Sequence, residues 1–272
     1  MLSKLLKYDI ASVLKYWWIG AAISGGLSIM AGLCIFTLEN PTADDMMYFI
    51  ASIGVYFAIM GMSAFSLLGT VLVFIRYFKN FFTDEGYLTF TLPVKRSDLL
   101  LSKFITAMVV NVATILVFIA DVIMIYVVGD WQHNSIEKLG KFFGEMFGDL
   151  FKNGYTTIMT FEVILLILAL IAIAGIFMFF CITFGSTITR KAKVITSIGI
   201  FYGATSIVSI LSQFVIVFGS FCLEGWLSDV SGNNGYIAVI LIMLMVILFI
   251  GAVASLLYNF ILMMLERRLN LR

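Results

Sequence analysis

Asp121, a carboxylate inside an otherwise apolar run, is the first residue of this sequence that could do chemistry. It sits in the C-terminal half of the run Phe104–Val128. An ionised carboxylate near a helix centre costs about 2.5–3.5 kcal/mol on insertion scales, so such residues mark either a site or a specific partner. At about 100° per residue, Asn111 and Thr114 fall within ~80° of Asp121 and share its face. That face reads either as a polar site or as a carboxylate held by a neighbouring helix. A second polar face is formed by Tyr202, Ser206, Ser209 and Gln213, spaced four, three and four. These fall within a band of ~60° on a helix. They fit a translocation path, and they equally fit interhelical hydrogen bonds worth ~0.6 kcal/mol each.

Enzyme chemistry finds little support. There is no G-x-x-x-x-G-K-[ST] phosphate loop. The single histidine, His133, lies beside Trp131 outside the apolar runs, and no histidine or paired carboxylates stand within them to activate a nucleophile or water. Cys34, Cys181 and Cys222 lack metal-ligand spacing and read as apolar filler, with a Cys34–Cys222 disulfide the lesser alternative. No catalytic residue, metal site or bound cofactor is therefore expected on this chain, and no nucleic-acid partner.

The elements that must position these residues follow from composition. The sequence is 62% hydrophobic and only 12% charged, with a mean hydropathy of +1.08. A soluble domain has about 25% charged residues. Lipid must be the solvent, and only helices or closed barrels can satisfy their backbone there. The apolar runs are continuous and longer than the ~20 residues a helix needs to span. Six spans are predicted at about 17–38, 47–75, 104–128, 158–184, 194–223 and 236–265. With the N-terminus inside, all basic residues except Lys138, Lys141 and Lys152 fall on the cytoplasmic side, as the positive-inside rule requires. The expectation is a multi-pass protein of the plasma membrane with both termini cytoplasmic.

Residues 1–16 read as an amphipathic helix in the membrane interface, with Trp17 and Trp18 marking the entry of span one. This start does not read as a cleaved signal. Gly20, Ser24, Ser28 and Gly32, and likewise Ala51, Gly54, Ala58 and Gly61, allow close backbone approach, so spans one and two are expected to pack together. Gly129–Thr157 carries apolar residues near helical spacing and reads as an amphipathic helix on the outer membrane face. The fold class is all-α integral membrane, in one domain covering 1–272.

Arg76–Lys103 is the most informative connection. It is rich in aromatic residues (Tyr77, Phe78, Phe81, Phe82, Tyr87, Phe90), yet basic residues hold it in the cytoplasm. Asp84 and Glu85 precede Gly86, a natural helix stop; alternatively Thr83 or Asp84 caps a new short helix. Pro93 breaks the chain, and Ser97 with Asp98 can start the helix that becomes span three. The acidic–Gly step, then Leu92-Pro93, then the leucine–lysine entry to span three resembles the same loop of exporter-type (type-2) ATP-binding-cassette permeases from bacteria. The topology is similar too, with a cytoplasmic elbow helix before six spans. The resemblance implies an exporter permease, coupled through a short helix in this loop to a separate ATPase subunit. ATP and magnesium would then lie on that partner, and a second permease subunit, identical or different, would complete a dimer in membrane lipid. Asp84, Glu85 and Gly86 carry over as coupling residues, followed by Leu92 and Pro93. Members often have a re-entrant outer hairpin between spans five and six, where this chain has a short loop, so their substrates do not carry over. The alternatives are a non-transporting immunity or sensory subunit that docks the same ATPase, and an ion-coupled carrier.

Overall fold

Among the described residues of the computed structural model, every regular element is a helix. Residues 2–39, 44–83, 86, 94–130, 135–189, 192–227 and 233–269 are described. They form α1 (Leu2–Leu38), α2 (Asp45–Phe82), α3 (Arg96–Gly129), α4 (Ser135–Leu150), α5 (Gly154–Ile188), α6 (Lys193–Leu227) and α7 (Asn233–Leu269). All but α4 are long and apolar enough to cross a membrane. The chain is an all-α membrane protein, as its apolar runs predict. It divides into two compact units, Met1–Gly148 and Asp149–Arg272.

The first unit is built on α1. Its buried positions are Asp9, Val13, Trp17, Gly20, Ser24, Ser28, Ala31 and Gly32, one stripe running almost the whole helix. The mean spacing stays close to the 3.6-residue turn, so one straight face can pack throughout. This changes the reading of residues 2–16. They are helical, but they continue span one rather than forming a separate elbow. No glycine or proline stands between Leu2 and Ile19 to break the helix, and Asp9 and Val13 are buried on the same stripe.

Small residues set the contacts with α2 and α3. A Cβ on Gly20 would lie 2.9 Å from Phe65, and one on Gly54 would lie 2.6 Å from the Cys34 sulfur. Position numbers rise on α1 as they fall on α2, so the pair is antiparallel. Against α3 the numbers rise together: Trp17 meets Thr114, and Ser24 meets Asp121. Gly32 has no room for a Cβ beside Val128. α1 and α3 therefore run parallel and in contact. The expected packing of spans one and two is present, and small residues of α1 serve α3 as well.

Two boundaries differ from expectation. α2 ends at Phe82, with Thr83 extended at its C-cap, so Gly86 is not its stop. The Gly86 N–H instead bonds the Thr83 carbonyl at 2.9 Å, while the Thr83 hydroxyl turns back to the Lys79 carbonyl at 2.5 Å. α3 begins at Arg96, with Asp98 in its first turn, where a carboxylate suits the helix dipole.

α4 is tied to the end of α3. The Ser135 hydroxyl bonds the Val127 carbonyl at 3.2 Å, and Lys138 bonds Asp130 at 2.8 Å. That bond raises the Lys138 pKa above its ordinary value. Ile136, Phe142 and Phe147 remain exposed, as expected of a helix lying in a lipid interface.

In the second unit α5 contacts both neighbours. Phe177 meets Phe201 of α6, while Tyr155 stacks on Tyr236 and Phe180 packs on Phe260 of α7. The α5–α6 pair is antiparallel and the α5–α7 pair parallel. The closest approach is at Gly185, where a Cβ would lie 2.6 Å from the Ser197 Cα. Backbone at that distance cannot step aside as a flexible side chain would. Gly185→Ala should thus lower stability by about 1–3 kcal/mol through overpacking. Gly175→Ala, which meets nothing within 4 Å, should leave the thermal unfolding midpoint unchanged; equal midpoints for both variants would remove the close-contact argument.

Candidate functional site

Three groups of polar residues stand apart from the apolar packing. The first gathers at the N-terminal end of the first unit. Asp9 of α1 is 5% exposed. One carboxylate oxygen accepts from Lys103 of α3, and the other accepts from the Ser102 hydroxyl at 2.7 Å. Arg76 of α2 approaches the first oxygen at 3.8 Å. A buried carboxylate requires this company, because the loss of its hydration must be made up by charge and hydrogen bonds. Tyr77, Phe81 and Phe82 pack next to one another along the following turns of α2 and are buried. These aromatic residues belong to a spanning helix and not to a solvated loop.

Residues 83–95 connect α2 to α3 immediately beyond this cluster. Gly86 is buried, and a Cβ there would lie 2.9 Å from the Phe81 carbonyl oxygen. Asp84, Glu85, Leu92 and Pro93 lie outside the described residues.

The second group is the face of Asp121. Asp121 is 4% exposed and accepts from the Ser24 hydroxyl. Thr114, two turns earlier, accepts from the Trp17 indole N–H at 2.9 Å and donates to the Val110 carbonyl at 2.8 Å. Gly69 of α2 leaves room for the Thr114 side chain. Thr114 and Asp121 thus both face α1, as helix-to-helix contacts, while Asn111 is only half-buried. For Asp121 the described contact is a partner on a neighbouring helix.

The third group is on α6, in the other unit. Tyr202, Ser206, Ser209 and Gln213 are all exposed. The Ser206 hydroxyl returns to the Tyr202 carbonyl at 2.8 Å. The stripe is continuous, as the spacing predicts, but among the described residues nothing in its own unit covers it. Glu162 of α5 is a different case: it is 7% exposed and its Oε2 has no hydrogen-bond partner among the described residues.

Sequence reasoning missed Asp9, and it took Arg76 and Lys103 as basic residues marking the inside and bounding the connection, not as its partners. The available signal was that Asp9 is the sole acidic residue before Glu39 and stands in line with Val13 and Trp17. No family model, curated protein or solved structure matches the chain.

The Asp9 cluster makes a direct prediction. Asp9→Leu strands cations in a buried setting and should cost about 3–5 kcal/mol. Adding Lys103→Met should recover part of that loss, with a coupling of about 0.5–3 kcal/mol for groups in contact. Thermal unfolding of the two single variants and the double variant closes the cycle, and strict additivity would mean the pair carries no mutual stabilisation.

Proposed function

We propose that this chain is the membrane subunit of an ATP-driven exporter resembling the type-2 ATP-binding-cassette permeases. It would sit in a bacterial plasma membrane with both termini cytoplasmic. It would work as a dimer with a second permease subunit and a pair of separate ATPase subunits that hold ATP and magnesium. The supporting observation is the mounting of the connection between α2 and α3. The helices on either side of it, at Arg76 of α2 and at Ser102 and Lys103 of α3, share one carboxylate from α1. A partner pressing on this connection would move three helices together rather than bend a loop.

The exposed stripe on α6 agrees with this reading. In hydrocarbon, polar groups that no neighbour covers are costly, whereas a second subunit or a water-filled path would accommodate them. ATP binding would close the ATPase pair, the connections would transmit that motion, and access between subunits would switch from inside to outside. Fourteen basic residues on one side set the orientation in this scheme.

The experiment begins with native membranes. The chain purified from them should carry an ATP-binding-cassette ATPase, identified by mass spectrometry, and Glu85→Arg should release it while insertion stays intact. A buried pair broken on one side loses roughly 3–5 kcal/mol, against about 0–1 kcal/mol for an exposed pair. Full retention of the ATPase by Glu85→Arg would remove the coupling role of that residue. Membrane-impermeant thiol reagents should label cysteines introduced within 135–150 from outside and spare those introduced within 76–103. ATPase binding without movement of any cargo would favour the immunity or sensory reading.

A further inference from the structure

Arg76 occupies a boundary. Residues 46–75 of α2 contain no charged side chain. The exposed apolar surface of that helix runs through Leu67, Leu68, Val71 and Ile75 and stops one residue short of Arg76. Lys79 follows, exposed, one turn later. On a helix facing lipid, the end of the apolar surface marks where hydrocarbon gives way to headgroups. Arg76 therefore sits at the level of lipid phosphates.

The guanidinium there is incompletely used. Its Nε is buried and has no hydrogen-bond partner among the described residues. Its approach to Asp9, at 3.8 Å, is too long for a hydrogen bond, and the oxygen it faces is already taken by Lys103. An anion cannot reach Nε itself, but the side chain is 35% exposed and its terminal nitrogens make no hydrogen bond among the described residues, so an anion can reach those. A guanidinium presents its donors as a planar fork that fits two oxygens of one phosphate. Accessible terminal donors on such a fork, at the phosphate level and with a second cation one turn away, are a site awaiting an acceptor.

We infer that Arg76, assisted by Lys79, binds the phosphate of an anionic phospholipid headgroup at the α2 end of the first unit. The lipid would engage the terminal donors of Arg76 and steady the turn of α2 that faces Asp9. This site does not depend on the exporter reading; it requires only that the helices stand in a bilayer. Its occupant is a lipid rather than a soluble anion, because the apolar surface leading to Arg76 offers acyl chains a place to lie.

The test uses the full chain in an uncharged detergent, titrated with dioleoyl phosphatidylglycerol or dioleoyl phosphatidylcholine, with native mass spectrometry counting bound lipid. Phosphatidylglycerol should bind about tenfold more tightly than phosphatidylcholine, and Arg76→Gln should remove about that tenfold. Arg76→Lys keeps the charge without the fork and should fall between; it also serves if the glutamine variant fails to fold. Lys4→Gln, an exposed cation on α1, should bind lipid as the wild type does. Wild-type binding by both Arg76 variants would overturn the site, and an equal loss in Lys4→Gln would reduce it to general surface charge. Displacement of the lipid by inorganic phosphate would reassign the site to a free anion and overturn the lipid occupant.

Discussion

A carboxylate removed from water has to be kept in company, and in the first unit that company comes from two other helices. Asp9 receives Lys103 and Ser102 from α3 and faces Arg76 on α2. Each of these contacts fixes a level as well as a direction. Sliding α1 by one turn, about 5.4 Å, would leave the carboxylate among apolar side chains. The cost of a stranded charge is much larger than that of a mismatched methyl group, so the ion pair sets the register and the apolar contacts follow it.

That register persists along the helix. Asp9 with Ser102, Trp17 with Thr114, and Ser24 with Asp121 keep a nearly constant offset in chain position. A constant offset is the signature of two parallel helices in step. Sequential helices joined by short connections run antiparallel, so a parallel pair in contact needs a third helix to carry the chain back. α2 does so, and it fits because Gly20 and Gly54 admit close contacts along its length. The second unit solves the same problem with Tyr155 on Tyr236 and Phe180 on Phe260, using aromatic contacts where the first uses polar ones.

The spans were legible because burial in lipid demands a simple, local signature: long apolar runs ended by charge. The small-residue positions of α1 and α2 were legible for a similar reason, since spacing along one helix defines a face. Partnership between distant residues is not local. Asp9 and Lys103 are far apart in the chain, and each alone reads as an ordinary charge on an amphipathic segment. The continuity of α1 was hidden by the same effect. Its first turns look suited to an interface until the burial of Asp9 and Val13 is known. At the far end of α2 the aromatic residues read as part of the cytoplasmic connection, and Tyr77, Phe81 and Phe82 are buried on the helix instead. For Asp121 the sequence allowed two readings, and the Ser24 hydroxyl supplies the partner that one of them required.

The surface of α6 raises a different physical question. Hydroxyl groups on a helix can satisfy themselves locally, as Thr205 does on the Phe201 carbonyl, Ser206 on Tyr202 and Ser212 on Ser209. Such residues are tolerable even against lipid. A glutamine amide has two donors and a carbonyl acceptor, more than its own helix backbone can engage. Gln213 and the large, exposed Tyr202 are therefore the costly members of the stripe. Moving either into hydrocarbon without partners costs several kcal/mol, a substantial fraction of the 5–15 kcal/mol by which proteins are typically stable. A helix that keeps both on one face, and buries so little of itself in its own unit, is better suited to polar company than to lipid.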